Sequence, residues 1–303
     1  MDRIRNWLRE YVAPAPAPAQ AAELTQIVSE LRESTGVDLG RARVRAGFGR
    51  GHLLELSLEL PGGSGSAREQ AAAEELVRRL LGAPAFERWI GSLAVVPAPR
   101  GRLVVVSDEP KRPQALALAE LPATIAAARR GLYEGLPEQS HARASRDANW
   151  VLFELSPEPA HDYAQQDDLA LATTSVPELK KCFLRGEPFF SGRFSRHGEL
   201  FVYLKYEGSG GEPEARLRER GKLEQALERC LRPELGALVG AGFGLRYGYL
   251  DLALSDPLAA LEALPKALRA ARAPKRSWLL FCDSELEDDY LAIWPETSAP
   301  YLG

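Results

Sequence analysis

Residues 46–58 read Ala46-Gly47-Phe48-Gly49-Arg50-Gly51-His52-Leu53-Leu54-Glu55-Leu56-Ser57-Leu58. Residues 241–254 read Ala241-Gly242-Phe243-Gly244-Leu245-Arg246-Tyr247-Gly248-Tyr249-Leu250-Asp251-Leu252-Ala253-Leu254. Both stretches open on Ala-Gly-Phe-Gly and run into an apolar segment of strand character. Such internal similarity is read first, because a missed repeat misreads the whole fold. A strand that turns back through a short glycine-bearing segment pairs antiparallel with its successor. Gly47, Gly49, Gly242 and Gly244 bracket a Phe where the turn is expected, which predicts positive φ or a tight bulge there. A weaker third copy is Gly192-Arg193-Phe194-Ser195-Arg196, leading into Leu200-Phe201-Val202-Tyr203-Leu204.

Helical spacing flanks both hairpins. Leu24, Ile27, Val28 and Leu31 mark one helix before the first; Leu223, Ala226, Leu227, Cys230 and Leu231 mark another before the second. The helix after the first hairpin opens at Ser66-Ala67-Arg68-Glu69, a capping box. The helix after the second opens at Asp256-Pro257, with Pro265 expected to kink or split it. Trp150-Val151-Leu152-Phe153 resembles Trp278-Leu279-Leu280-Phe281. The pattern predicts helices near 22–34, 66–82, 113–131, 176–184, 214–230 and 257–271. It predicts strand pairs near 42–60, 92–107, 149–174, 192–206, 237–254 and 276–294. The expected fold class is α+β: tandem helix–β-hairpin repeats, about six αββ units in two or three related modules. Antiparallel or mixed sheets would be covered by helices on one face. The expected division is an arm with an Ala-Pro linker at 1–20 and modules at 21–110, 111–210 and 211–303.

In the arm, Ile4, Trp7, Leu8 and Tyr11 fall at helical spacing on one face, with Arg3, Arg5 and Arg9 off it. The tract APAPAPAQ at 13–20 favours extended polyproline II geometry, a semi-rigid spacer. A short amphipathic helix on a stiff tether suits docking, on a partner or back on its own chain.

The 303 residues carry a net charge of −4 and no run of 18 apolar residues, so no membrane span is expected. Residues 1–30 lack the apolar core of a secretory signal. Cys182, Cys230 and Cys282 are widely spaced, which fits a reducing, cytoplasmic setting and no disulfide framework.

No motif for chemistry survives inspection. Gly240-Ala241-Gly242-Phe243-Gly244 precedes a strand, whereas a phosphate loop needs a helix N-terminus directly after its glycines. Arg41, Arg43 and Arg45 share one strand face, with Arg50 at the turn. Arg outnumbers Lys in this chain, so the stripe reads first as a solvated face, and nucleic acid is disfavoured. Cys182 and His197 fall near one another in sequence, but the thiol lies on an apolar helix face, and catalytic residues are not expected. His52, His141, His161 and His197 lack metal-ligand spacing, and no metal or cofactor is expected. The acidic run Asp283, Glu285, Glu287, Asp288 and Asp289 lacks calcium-loop spacing and suits a basic partner.

The sequence therefore favours a non-enzymatic interaction protein: an adaptor, scaffold or immunity-type inhibitor. Its protein partner would bind through inter-module grooves and the N-terminal arm, meeting Ile4, Trp7, Leu8 and Tyr11, the arginines Arg41, Arg43, Arg45 and Arg50, and the acidic run. The alternative is a small-molecule sensor or atypical enzyme whose ligand lies in an aromatic inter-module groove lined by Trp89, Trp150, Trp278 and Trp294.

Overall fold

Ile4, Trp7 and Leu8 are buried on one face of helix α1 (Asp2–Tyr11). The computed structural model describes residues 2–11, 21–98, 116–144, 149–208 and 213–302. It is a mixed helix-and-sheet protein with two sheets, each covered by helices. The chain divides into two compact units, residues 14–135 and residues 1–13 with 136–303. The division after Gly135 falls inside the middle module expected from the sequence.

The unit at 14–135 begins with α2 (Ala21–Thr35) and the hairpin β1 (Arg43–Phe48) and β2 (Leu54–Leu60). It continues with α3 (Ala67–Leu81), α4 (Ala83–Trp89), β3 (Ile90–Pro97), β4 (Leu116–Ala117) and α5 (Leu121–Gly135). Its sheet runs β3-β2-β1-β4, and β3 is parallel to β2. A parallel neighbour needs a long crossover, which α3 and α4 supply. The capping box forms: Glu69 N–H donates to Ser66 Oγ at 3.3 Å, and Ser66 N–H donates to Glu69 Oε2 at 2.9 Å. Apolar and polar residues alternate along the first half of β2. Leu54, Leu56 and Leu58 are buried with Leu76 and Val77 of α3, while Glu55 is exposed. Each such leucine is worth about 1.5–3 kcal/mol of burial.

The other unit contains α1, α6 (His141–Ala144), β5 (Val151–Glu154), β6 (Leu169–Thr174), α7 (Pro177–Leu184) and β7 (Leu200–Glu207). It continues through α8 (Pro213–Leu235), β8 (Gly236–Gly244), β9 (Tyr247–Leu254), α9 (Pro257–Ala270), β10 (Ser277–Phe281) and β11 (Tyr290–Ala292). The seven strands run β11-β10-β7-β9-β8-β6-β5, antiparallel throughout. Helix α8 breaks at Arg232, where φ is 46°, just before Pro233, whereas α9 continues through Pro265.

The expectation of one wet sheet face does not hold for the centre of this sheet. β9 and β10 are buried along their whole length, and β7 along all but its last residue. Helix α8 packs on β8 and β9 and against α9. On the face carrying Phe201, Tyr203, Tyr249 and Ala253 lie α7 and the loops bearing Tyr163, Phe189 and Phe194. A strand covered twice loses the alternation that would reveal it. Of the pair expected at 192–206 only β7 forms, because residues 191–193 make a 3-10 turn. Of the pair at 92–107, β3 forms, and 99–107 lies outside the described residues.

The repeated glycines also do a different job from the expected one. Among the described residues, positive φ in the first hairpin belongs to Gly51 (60°) and His52 (58°), not to Gly47 or Gly49. Gly242 and Gly244 are also absent from the positive-φ set; they lie inside β8, which ends before the turn at Leu245–Arg246. What they provide is space. A Cβ on Gly244 would collide with the Asp168 carboxylate, one on Gly240 with the Asp251 carboxylate, and one on Gly242 would lie 2.6 Å from Leu169 Cδ1. A Cβ on Gly47 would meet nothing within 4 Å.

Candidate functional site: a cavity beside α7

Helix α7 starts with Pro177, suited to the first helical turn, and turns Leu179 and Cys182 into the core. Lys180 is buried as well, and its Nζ meets a polar interior. It donates to Gln166 Oε1 at 2.5 Å and to Asp251 Oδ1 at 3.0 Å, and stands 2.8 Å from Asp251 Oδ2. Gln166 Nε2 donates to Asp251 Oδ1 at 3.2 Å, closing the triangle. Asp251 fits because Gly240, its cross-strand partner, leaves the room.

A second buried cluster lies further along the same face. Lys205 Nζ donates to the Tyr163 carbonyl at 2.5 Å and stands 4.3 Å from the Tyr247 ring centre. Burial pulls its pKa down to about 8, against the opposing charges of Asp168, Asp162 and Asp167. Asp168 accepts from the N–H groups of Arg246 (2.7 Å) and Tyr247 (2.8 Å) and from the Tyr249 hydroxyl. Burial holds the Tyr203 and Tyr249 hydroxyls well above the ordinary phenol range.

Between α7 and the end of β10 lies a cavity of about 360 Å³. Leu179, Phe183, Pro188, Phe189 and Phe281 form its apolar wall. Gln165, Glu187, Ser284 and Glu287 supply polar groups, and Tyr203, Gln166 and Cys282 join it to the buried network. The turn around Ser284 is anchored where the Phe189 N–H donates to Ser284 Oγ at 2.9 Å and where Asp283 accepts from the Ser191 N–H at 2.8 Å.

Nucleophile chemistry is disfavoured by what surrounds each group. Burial pushes the Cys182 thiol up to about 11, against the charge of Arg193, and pushes Cys282 well above its ordinary range. His197 faces the Glu138 carbonyl at 3.0 Å. Ser195 Oγ donates to Glu199 Oε2 at 2.7 Å, and His141 Nδ1 lies 2.8 Å from the same oxygen. A carboxylate stands in the middle there, whereas a hydrolytic triad needs the imidazole between hydroxyl and acid. Burial alone would raise the Glu199 carboxyl. The hydrogen bond and charge of His141, with Ser195, more than offset it and bring the pKa below its usual value.

The residues singled out in the sequence are distributed as follows. Trp7 Nε1 donates to Glu285 Oε2 at 2.5 Å, Arg3 donates to the Glu285 carbonyl at 3.0 Å, and Arg3 pairs with Asp289 at 3.1 Å. Tyr11 donates to the Glu199 carbonyl at 2.9 Å. The arm, with Ile4 and Leu8 buried, thus lies against the acidic run of its own chain. Asp283 is buried, while Glu287 and Asp288 are exposed. Arg41, Arg43 and Arg50 are exposed, and Arg45 pairs with Glu59 at 2.6 Å across the hairpin. Trp278 is buried, with Nε1 donating to the Ser298 carbonyl at 2.8 Å; Trp294 donates to the Ala273 carbonyl at 3.0 Å. Trp89 is buried edge-on to Tyr133, Trp150 is exposed, and none of the four tryptophans lines the cavity.

Sequence reasoning passed over Lys180, Asp251, Gln166 and Glu187. One signal was visible: Asp251 interrupts an otherwise apolar run, as Lys205 does in β7, and a charge inside a buried strand needs a partner. Among the described residues no group of three or more His, Cys, Asp or Glu side chains is placed to hold a metal ion, and no helix is long and apolar enough to cross a membrane. Comparison with protein-family models, curated proteins and solved structures finds no match.

Proposed function

We propose that this chain is a non-enzymatic binding protein that holds a small molecule in the cavity beside α7. The cavity itself carries the reading: about 360 Å³ is within the usual size of small-ligand sites, and its apolar wall with a few polar groups is their usual lining. The finer sequence reading, tandem helix–hairpin units, accords with this role, since covered hairpins supply a rigid frame around a pocket. The test is a thermal-shift screen of the full chain against metabolite classes, repeated with Glu287→Trp at the exposed rim. A ligand at about 100 times its Kd stabilises by about 2.7 kcal/mol. The expected result is a raised Tm in the parent and no rise in Glu287→Trp. A shift that persists in the variant, or none with any class, refutes the reading.

A second reading, a protein partner, is favoured by one observation. Strand β5 is the sheet edge, and among the described residues it pairs with β6 alone. Trp150, Val151, Leu152 and Leu171 are exposed there. An apolar edge strand is suited to accepting a strand from another protein. Affinity capture with the full chain and with Leu152→Lys tests it: the same partners at the same yield from both would remove β5 as the docking edge.

A further inference from the structure

We infer that the cavity takes an organic cation, an ammonium group carried on an apolar body. The inference rests on the cavity being the binding site, and adds the charge of its ligand. Among the described residues, no Lys, Arg or His belongs to the lining, whereas two carboxylates do, Glu187 and Glu287. Lys180 lies behind the wall and is taken up by Asp251 and Gln166. Arg193 is buried outside the lining, donates to the Pro188 carbonyl, and lies within the charge environment of Cys182, Asp283 and Glu187.

Glu187 is the more telling carboxylate. Its side chain is 17% exposed, and its Oε1 lies 3.8 Å from the exposed Arg185 guanidinium, beyond hydrogen-bond range. Its Oε2 is buried, and no N–H or O–H of the described residues donates to it. The neighbouring Cys182 thiol is a weak donor. A largely buried carboxylate with only weak donors beside it is costly, and a cation in the adjoining cavity would offset its charge. The aromatic rings of Phe183, Phe189, Phe281 and Tyr203 border the same space. Aromatic faces attract cations and reject anions, so rings and carboxylates select the same sign of charge.

The test uses four probes of one shape, measured by calorimetry with the full chain at pH 7: 2-phenylethylammonium, its trimethylammonium analogue, 2-phenylethanol and 3-phenylpropanoate. Both cations are expected to bind roughly tenfold tighter than the alcohol, and the carboxylate more weakly than the alcohol. Glu187→Gln is expected to bring the ammonium to the alcohol's affinity while leaving the alcohol unchanged. If that variant does not fold, Glu287→Gln is read the same way. Equal or tighter binding of the alcohol or carboxylate overturns the cation and leaves the cavity reading standing. Absence of binding by all four at millimolar concentration overturns both.

Discussion

Replacing Lys180 by Met isolates the buried pair on which the polar interior depends. Lys180 and Asp251 are each 1% exposed, and Nζ stands 2.8 Å from Asp251 Oδ2 and 2.5 Å from Gln166 Oε1. The methionine fills the same volume but leaves the Asp251 carboxylate in the core with only the 3.2 Å bond from Gln166 Nε2. Breaking a buried pair from one side costs about 3–5 kcal/mol, because the remaining charge stays desolvated. Adding Asp251→Leu removes that charge, and Gly240 leaves room beside it. Gln166 then keeps an unpaired amide, a cost of about 1–3 kcal/mol. The double variant should therefore recover about 2 kcal/mol over Lys180→Met alone. Hydrogen exchange in the full chain, read on peptides covering 200–207 and 247–254, measures the opening free energy of these strands without assuming that both units unfold together. A single-variant loss below about 1 kcal/mol, or a double variant no more stable than the single, would refute the account.

Further expectations concern other parts of the fold. Gly244→Ala should cost about 1–3 kcal/mol by forcing Asp168 away from three donors, whereas Gly47→Ala, with open space around it, should stay within about 0.5 kcal/mol; paired denaturation curves decide. Lys205 has its pKa lowered to about 8 in the folded chain, so between that pH and about 10.4 the unfolded chain binds the extra proton and this group's contribution to stability rises with pH. The raised tyrosine and cysteine groups pull the other way from about pH 9 upward, so the parent is compared with Lys205→Met: their stability difference should grow in the parent's favour from pH 8 to 10, and a flat difference contradicts the assignment. Trp7→Ala should speed tryptic cleavage at Arg3, Arg5 and Arg9 markedly, because burial holds α1. Raising salt should have little effect, since Arg3 and Arg5 themselves are largely exposed in their pairs; salt-driven release instead would assign the docking to charge.

Local signals in the sequence were sufficient for elements stabilised locally. The capping box at Ser66 and Glu69, the helical stripe of α3, and the two hairpins at 43–60 and 236–254 all follow from spacing and side-chain chemistry that neighbours in sequence can satisfy. The alternation of β2 identified Leu54, Leu56 and Leu58 as its buried face, with Glu55 exposed between them. The same reasoning failed on β7, β9 and β10, where burial on both faces erases the period. It also misassigned Gly242 and Gly244. Their need for a missing Cβ is set by Leu169 and Asp168, residues more than seventy positions away.

The candidate site was hidden for a related reason. Glu187, Ser284 and Glu287 meet around one space only because β7 pairs with β10 and α7 lies over the sheet between them. Asp251 was conspicuous as a charge in an apolar strand, but its partner Lys180 sits on an ordinary-looking amphipathic helix. The sequence by itself determined which segments coil or extend, and that Ile4, Trp7 and Leu8 must find an apolar seat. Tertiary structure decided where that seat is, which charges are paired in the interior, and that among the described residues a cavity lined by Glu187 and Glu287, without a basic side chain, remains. Those outcomes depend on long-range pairing, whose energies no local pattern of residues encodes.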